Sequence, residues 1–153
     1  MISKSVFILF FIFLLCNIVF GSGLFSEKAI GYYNEGVRAQ KRGDFYTAQM
    51  NYQKSILLGI SYKKFVFNNM GVLYANLQDT GRAETTFKEA LMIDPNYDTV
   101  AYNLSLLYLK LSIFYKENGD VKNALENLEK AFYYHPKKSY IIEEEKGIKG
   151  SES

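Results

Sequence analysis

Few side chains in this chain could do covalent or metal chemistry. His135 is its one histidine and Cys16 its one cysteine, a set too small for a tetrahedral zinc site or for most nucleophile and base pairings. His135 stands just before Pro136, in what reads as the last turn of a helix, where its charge would meet the negative end of the helix dipole. Without a second ligand or a nucleophile in reach it makes no recognisable site. Glu143, Glu144 and Glu145 are consecutive, so on a helix they face different ways and read as a solvated run, not a cation site. Asn103-Leu104-Ser105 has the form of a glycosylation acceptor but falls inside an apolar helical stretch. The glycines stand singly between or within helices, and none forms a phosphate-cradling loop. The reading is that the chain is not an enzyme and holds no metal or cofactor.

What remains is a scaffold. At 153 residues, 48% hydrophobic and 22% charged, the chain has the length and composition of one folded domain. A net charge of +2 is too small to sustain the potential that a nucleic-acid backbone selects, so nucleic acid is not an expected partner.

The N-terminus reads as a targeting segment. Lys4 precedes the apolar run Val6 to Phe20, broken only by Asn17, and Gly21, Ser22 and Gly23 close it. A basic start, an apolar stretch and a small-residue exit are the parts of a secretory signal peptide. As a helix the run would rise ~23 Å, short of the ~30 Å hydrocarbon core, which favours cleavage of residues 1–23 over an uncleaved anchor. A lipid-modified Cys16 fits less well, since the large Leu15 precedes it. Each reading makes the protein exported: periplasmic, secreted or envelope-anchored, with membrane contact only if the segment is uncleaved.

Beyond residue 23 the chain repeats itself. Three stretches place a small residue, a large one four later and a small one three after that: Ala48, Tyr52, Ser55; Ala83, Phe87, Ala90; Ala124, Leu128, Ala131. Spacings of four and three share one helical face, and alternating small and large side chains let a neighbouring helix interlock. Upstream lie aromatics paired with small residues four later: Tyr32 with Gly36, Phe67 with Gly71, Tyr108 with Ser112. Pro95 and Pro136 stand five residues beyond the second and third triplets, where they end a helix. Arg42-Gly43-Asp44, Asp79-Thr80-Gly81 and Asn118-Gly119-Asp120 mark the turns between paired helices, the middle one irregular because its glycine comes three residues later.

These residues resemble the tetratricopeptide repeat, a 34-residue helix-turn-helix, with Tyr or Phe in place of the usual Trp. The resemblance implies an all-α solenoid of about six helices. Repeats are expected over 29–62, 64–97 and 98–136, followed by a capping helix over 137–146, which covers the last apolar face, and a disordered tail over 147–153. Gly71 and Ser112 are separated by seven residues more than the repeat allows. Val100, Leu104, Leu107, Leu111 and Phe114 run a helical stripe through this insert, so it should lengthen the third repeat's first helix by ~10 Å. With no counterpart in the preceding repeat to pack against, the insert is expected to serve binding more than stability.

Resemblance to the family also implies a concave groove lined by first-helix residues. Here these are Ile30, Tyr33 and Val37, then Phe65, Asn68 and Val72, then Leu106, Leu109 and Ile113. Eight of the nine are apolar or aromatic, which marks a contact patch. Chaperone-binding members place cationic and amide donors where this chain has Tyr33, Val37, Asn69, Leu106 and Lys110. Only Asn69 and Lys110 keep polar character, so a buried C-terminal carboxylate would be under-compensated. The expected function is an extracytoplasmic protein-protein interaction scaffold binding a peptide or partner protein. A self-associating structural component of an envelope complex, a homo-oligomer, is the alternative.

Overall fold

The structure, a computed structural model, describes residues 27–135. The expectations for residues 1–23, 137–146 and 147–153 lie outside the described residues. Within them the regular elements are six helices: α1 over 27–41, α2 Phe45–Leu57, α3 Lys63–Asn76, α4 Thr80–Ile93, α5 Asp98–Glu117 and α6 Val121–Tyr134. They form three hairpins, α1 with α2, α3 with α4 and α5 with α6.

Each hairpin turns by the same device. A residue in the left-handed region ends the first helix, and an Asp carboxylate accepts the N–H of the residue three further on. Gly43 (φ 79°) and Gly119 (φ 76°) take the left-handed position in the outer turns. In the middle turn that position belongs to Gln78 (φ 59°), whereas Gly81 lies inside α4. This corrects the expectation of an irregular turn: Asp79 sets the same register as its equivalents, and Gln78 tolerates a conformation that glycine adopts without strain. The N–H groups of Thr47, Arg82 and Asn123 donate to Asp44, Asp79 and Asp120 at 3.1, 3.0 and 3.1 Å. These bonds favour the ionised carboxylates and hold all three below the ordinary Asp value, helped most at Asp44 by the Thr47 side chain and at Asp120 by that of Asn123.

The chain divides into two compact units, one ending at Val66 and the other starting at Phe67, a boundary that falls in the first turn of α3. In the first, Ala48, Tyr52 and Ser55 are fully buried. A Cβ on Gly36 would stand 2.7 Å from the Tyr52 ring, so the absence of a side chain there lets α1 and α2 approach. The Tyr52 hydroxyl donates to Gln40 Oε1 at 2.7 Å, which satisfies the one polar atom of this anchor.

In the second unit Phe87 fills the same notch over Gly71, where a Cβ would come within 2.5 Å of the ring. The third hairpin has no glycine at this notch. Ser112 is fully buried and its Oγ donates to the Ala124 carbonyl at 2.8 Å, so a side chain that would be a clash at Gly71 becomes a bond between α5 and α6. Ala83, Phe87, Ala90, Ala124, Leu128 and Ala131 are all buried, as their repeated spacing requires.

At 20 residues α5 exceeds α3 by six, and the insert is helical. It does not stand free, which corrects the expectation that it lacks packing partners. Val100 and Leu104 are fully buried, and Tyr102 meets the His135 ring edge-on at 5.7 Å. The amide of Asn103 donates to Asn68 Oδ1 at 2.9 Å. The physical reason is register: the apolar stripe begins inside the insert at Val100, so the added turns present the same face to the core as the rest of α5.

Candidate partner-binding cleft

The face of α5 that is not consumed by α6 carries Leu106, Leu107, Lys110, Leu111 and Phe114 along one open cleft of about 940 Å3, with Val72, Ala75 and Asn76 of α3 on the opposite wall. Phe87 closes its floor. Phe114 is 57% exposed, a large ring left in water at the mouth. Lys110 is the only charged residue in the lining and makes no ion pair among the described residues. The cleft is therefore a trough with apolar walls that also carries one cation, the amides of Asn76, Gln78 and Asn103 and the hydroxyl-bearing Thr80 and Tyr115, a lining suited to burying a surface with a few polar contacts.

The structure distributes the nine expected groove residues unevenly. Val72 and Leu106 line the cleft. Asn68 lies one turn before Val72 on α3 and holds Asn103, which also lines it. Leu109 is only 9% exposed, and at 100° per residue it and Ile113 are turned about 60° and 20° from Leu106, away from the cleft side. In the first unit Ile30, Tyr33 and Val37 are half-buried, and Phe65 is 39% exposed. There Tyr62 bridges two of them, with edge-on ring contacts of 6.0 Å to Tyr33 and 6.2 Å to Phe65. Tyr62 was not among the expected residues, and neither were Asn76, Leu111 and Phe114. The stripe that contains Leu111 and Phe114 was visible in the sequence, but periodicity alone does not say where a stripe leaves the core.

The remaining chemistry-bearing residues have structural work. His135 caps α6, its backbone N–H donating to Ala131 at 3.1 Å, and its Nε2 lies 3.5 Å from Asp98. Ser105 of the glycosylation triplet is fully buried and Asn103 is hydrogen-bonded, so neither is presented to a transferase. Tyr108, 2% exposed, has its phenol pushed up by burial and by its hydrogen bond to Glu84, and it stays neutral as a packing residue. No three His, Cys, Asp or Glu side chains converge among the described residues, and no described helix is long and apolar enough to cross a membrane.

The sequence pattern of the tetratricopeptide repeat matches residues 66–97 and 104–138, which hold Gly71 with Phe87 and Ser112 with Leu128. Those two stretches are tetratricopeptide repeats. Among curated relatives, the photosystem I assembly protein Ycf3 of Synechococcus sp. (strain CC9605) is 30% identical over 101 residues, 65% of this chain and 58% of that protein. The Ycf3 of Prochlorococcus marinus subsp. pastoris is 31% identical over 97 residues, 62% of this chain and 56% of its own. The chain thus spans little more than half the length of the curated relatives it matches. Solved structures share the fold. The N-terminal domain of stress-induced protein-1 from C. elegans superposes with a TM-score of 0.59 at 15% identity, over 82% of this chain and 97% of that one. For the Arabidopsis OM64 TPR domain the values are 0.54, 18%, 83% and 98%, and for the first TPR of Spaghetti (RPAP3) bound to HSP90 peptide SRMEEVD they are 0.55, 17%, 82% and 94%.

Proposed function

We propose that this chain, with its tetratricopeptide repeats, is an exported scaffold that holds an apolar or aromatic segment of a partner protein against α3 and α5. The observation that carries the reading is the cleft itself: about 940 Å3 of trough, walled by Leu106, Leu107, Leu111 and Phe114, with Lys110 as its single charged lining residue. Burying a Phe- or Leu-sized side chain there would contribute ~1.5 to 3 kcal/mol, and two or three such anchors make a usable affinity. Peptide capture is seen in the RPAP3 domains, the first bound to an HSP90 peptide and the second to an HSP70 peptide. Both of those peptides end in Glu-Glu-Val-Asp. This chain has Tyr33, Val37 and Leu106 where the resemblance calls for donors to a terminal carboxylate, so its partner is read by apolar side chains instead. Export rests on the composition of residues 1–23.

The test is selection of peptides from a random dodecamer library displayed with its C-terminus fused, so that no terminal carboxylate is offered. Enrichment of peptides rich in Phe, Leu, Ile or Tyr is expected. Leu106→Glu combined with Phe114→Glu should then lose them while circular dichroism is unchanged. Peptides that bind the double variant as well as the parent, or that need a free C-terminus, would sink the cleft assignment.

A further inference from the structure

The outward face of α2 carries three large apolar side chains around the exposed, polar Gln53. Tyr46, Met50 and Leu57 fall within about 40° of one another around the helix and are 77%, 39% and 84% exposed, while Ala48, Tyr52 and Ser55 on the opposite face are buried. Large apolar residues on both sides of a helix ordinarily mean burial on both sides, and here the outer three stay in solvent. At the same register α6 has Lys122 and Glu126 in place of Tyr46 and Met50, and α4 has Gly81 and Thr85. Only the last position, Leu57, Met92 and Tyr133, is large and exposed in all three.

Charge singles out the same region. Residues 27–66 hold seven Lys and Arg against three acids, Glu27, Glu35 and Asp44, while residues 67–135 hold six Lys and Arg against nine acids. Two of the three acids in the first unit are engaged: Glu35 pairs with Arg38 and Arg42, and Asp44 caps α2. Helix α2 itself contains no acid and one cation, Lys54, whose ammonium lies 5.3 Å from the Tyr32 ring of α1, and Lys63 opens α3.

From this charge complementarity we infer that the first unit lies on an anionic lipid surface, with Tyr46, Met50 and Leu57 at the headgroup level and the unit's excess of lysine and arginine, Lys54 and Lys63 among them, drawn to lipid phosphates. Aromatic and aliphatic side chains flanked by lysines are the composition of an interfacial helix, and each lysine near an anionic leaflet adds attraction that salt screens. A zwitterionic surface would supply the apolar contact without the charge term, so the two contributions are separable.

The chain contains no Trp, which makes the experiment direct. The full chain carrying Tyr46→Trp is mixed with phosphatidylcholine vesicles, with and without one third phosphatidylglycerol, brominated on the acyl chains. The inference expects a blue-shifted indole quenched by bromine on the anionic vesicles only, released by molar salt. The companion variant Tyr133→Trp, equally exposed on the second unit, should show neither effect. Adding Lys54→Ala and Lys63→Ala should weaken partitioning roughly thirty-fold. An indole at position 46 that stays unquenched on anionic vesicles overturns the inference, as does equal quenching at position 133. A blue shift that grows with protein concentration in the absence of lipid would assign the face to a second copy and overturn it as well.

Discussion

The second and third hairpins solve one packing problem in two ways. Phe87 of α4 lies over Gly71 with no room for a Cβ, whereas Ser112 of α5 keeps a side chain at the same point and bonds the Ala124 carbonyl of α6. The first solution is purely steric and fails abruptly when anything is added. In the second, a buried hydroxyl is acceptable because its donor is satisfied. A second contrast follows along the chain: α3 ends its work in 14 residues, while α5 spends 20 and anchors the extra length through Val100 and Asn103. Close helix approach therefore needs a small group with its polar atoms paired, not glycine as such, and added helix length is held only where its apolar register continues.

Four substitutions probe that contrast, in falling order of effect. Gly71→Leu should destabilise by about 3 kcal/mol through overpacking against Phe87; an unchanged melting temperature would mean that the ring yields and that the notch is not steric. Val100→Ala should cost ~2 kcal/mol, in the manner of other fully buried truncations. If urea midpoints barely move, the insert is a projecting element after all. Ser112→Ala is expected to lose ~1 kcal/mol with the bond to Ala124, read by chemical denaturation, and a gain in stability would show that the hydroxyl is a burden. Smallest is Gln78→Gly, which relieves the left-handed strain and should stabilise by roughly 0.5 kcal/mol net of the added chain entropy. Calorimetry showing a loss there would indicate that the Gln78 side chain makes a contact of its own.

Much of the hairpin architecture was legible because interlocking helices demand small and large residues at spacings of four and three, and Ala48-Tyr52-Ser55, Ala83-Phe87-Ala90 and Ala124-Leu128-Ala131 satisfy that demand three times. The turn was less legible. Gly81 looked like the punctuating residue, yet the left-handed position fell to Gln78, because the Asp79 cap sets where α4 begins and the chain accepts a modest strain to reach it. Ser55 and Ser105 illustrate the same limit: both are fully buried with hydroxyls that find no partner among the described residues, something that composition at a core position does not announce.

What the sequence determined by itself was the kind of helix at each place and which face of it could be buried, since period, caps and notch residues are local properties of the chain. Which buried-looking face stays open was decided only by tertiary structure. Leu104 and Leu111 belong to one stripe, but Leu104 is enclosed while Leu111 lines the cleft. Leu109, counted by its offset as a groove residue, is nearly covered. Exposure depends on how far the neighbouring helices extend and at what angle they cross, and those quantities are set by contacts between residues dozens of positions apart.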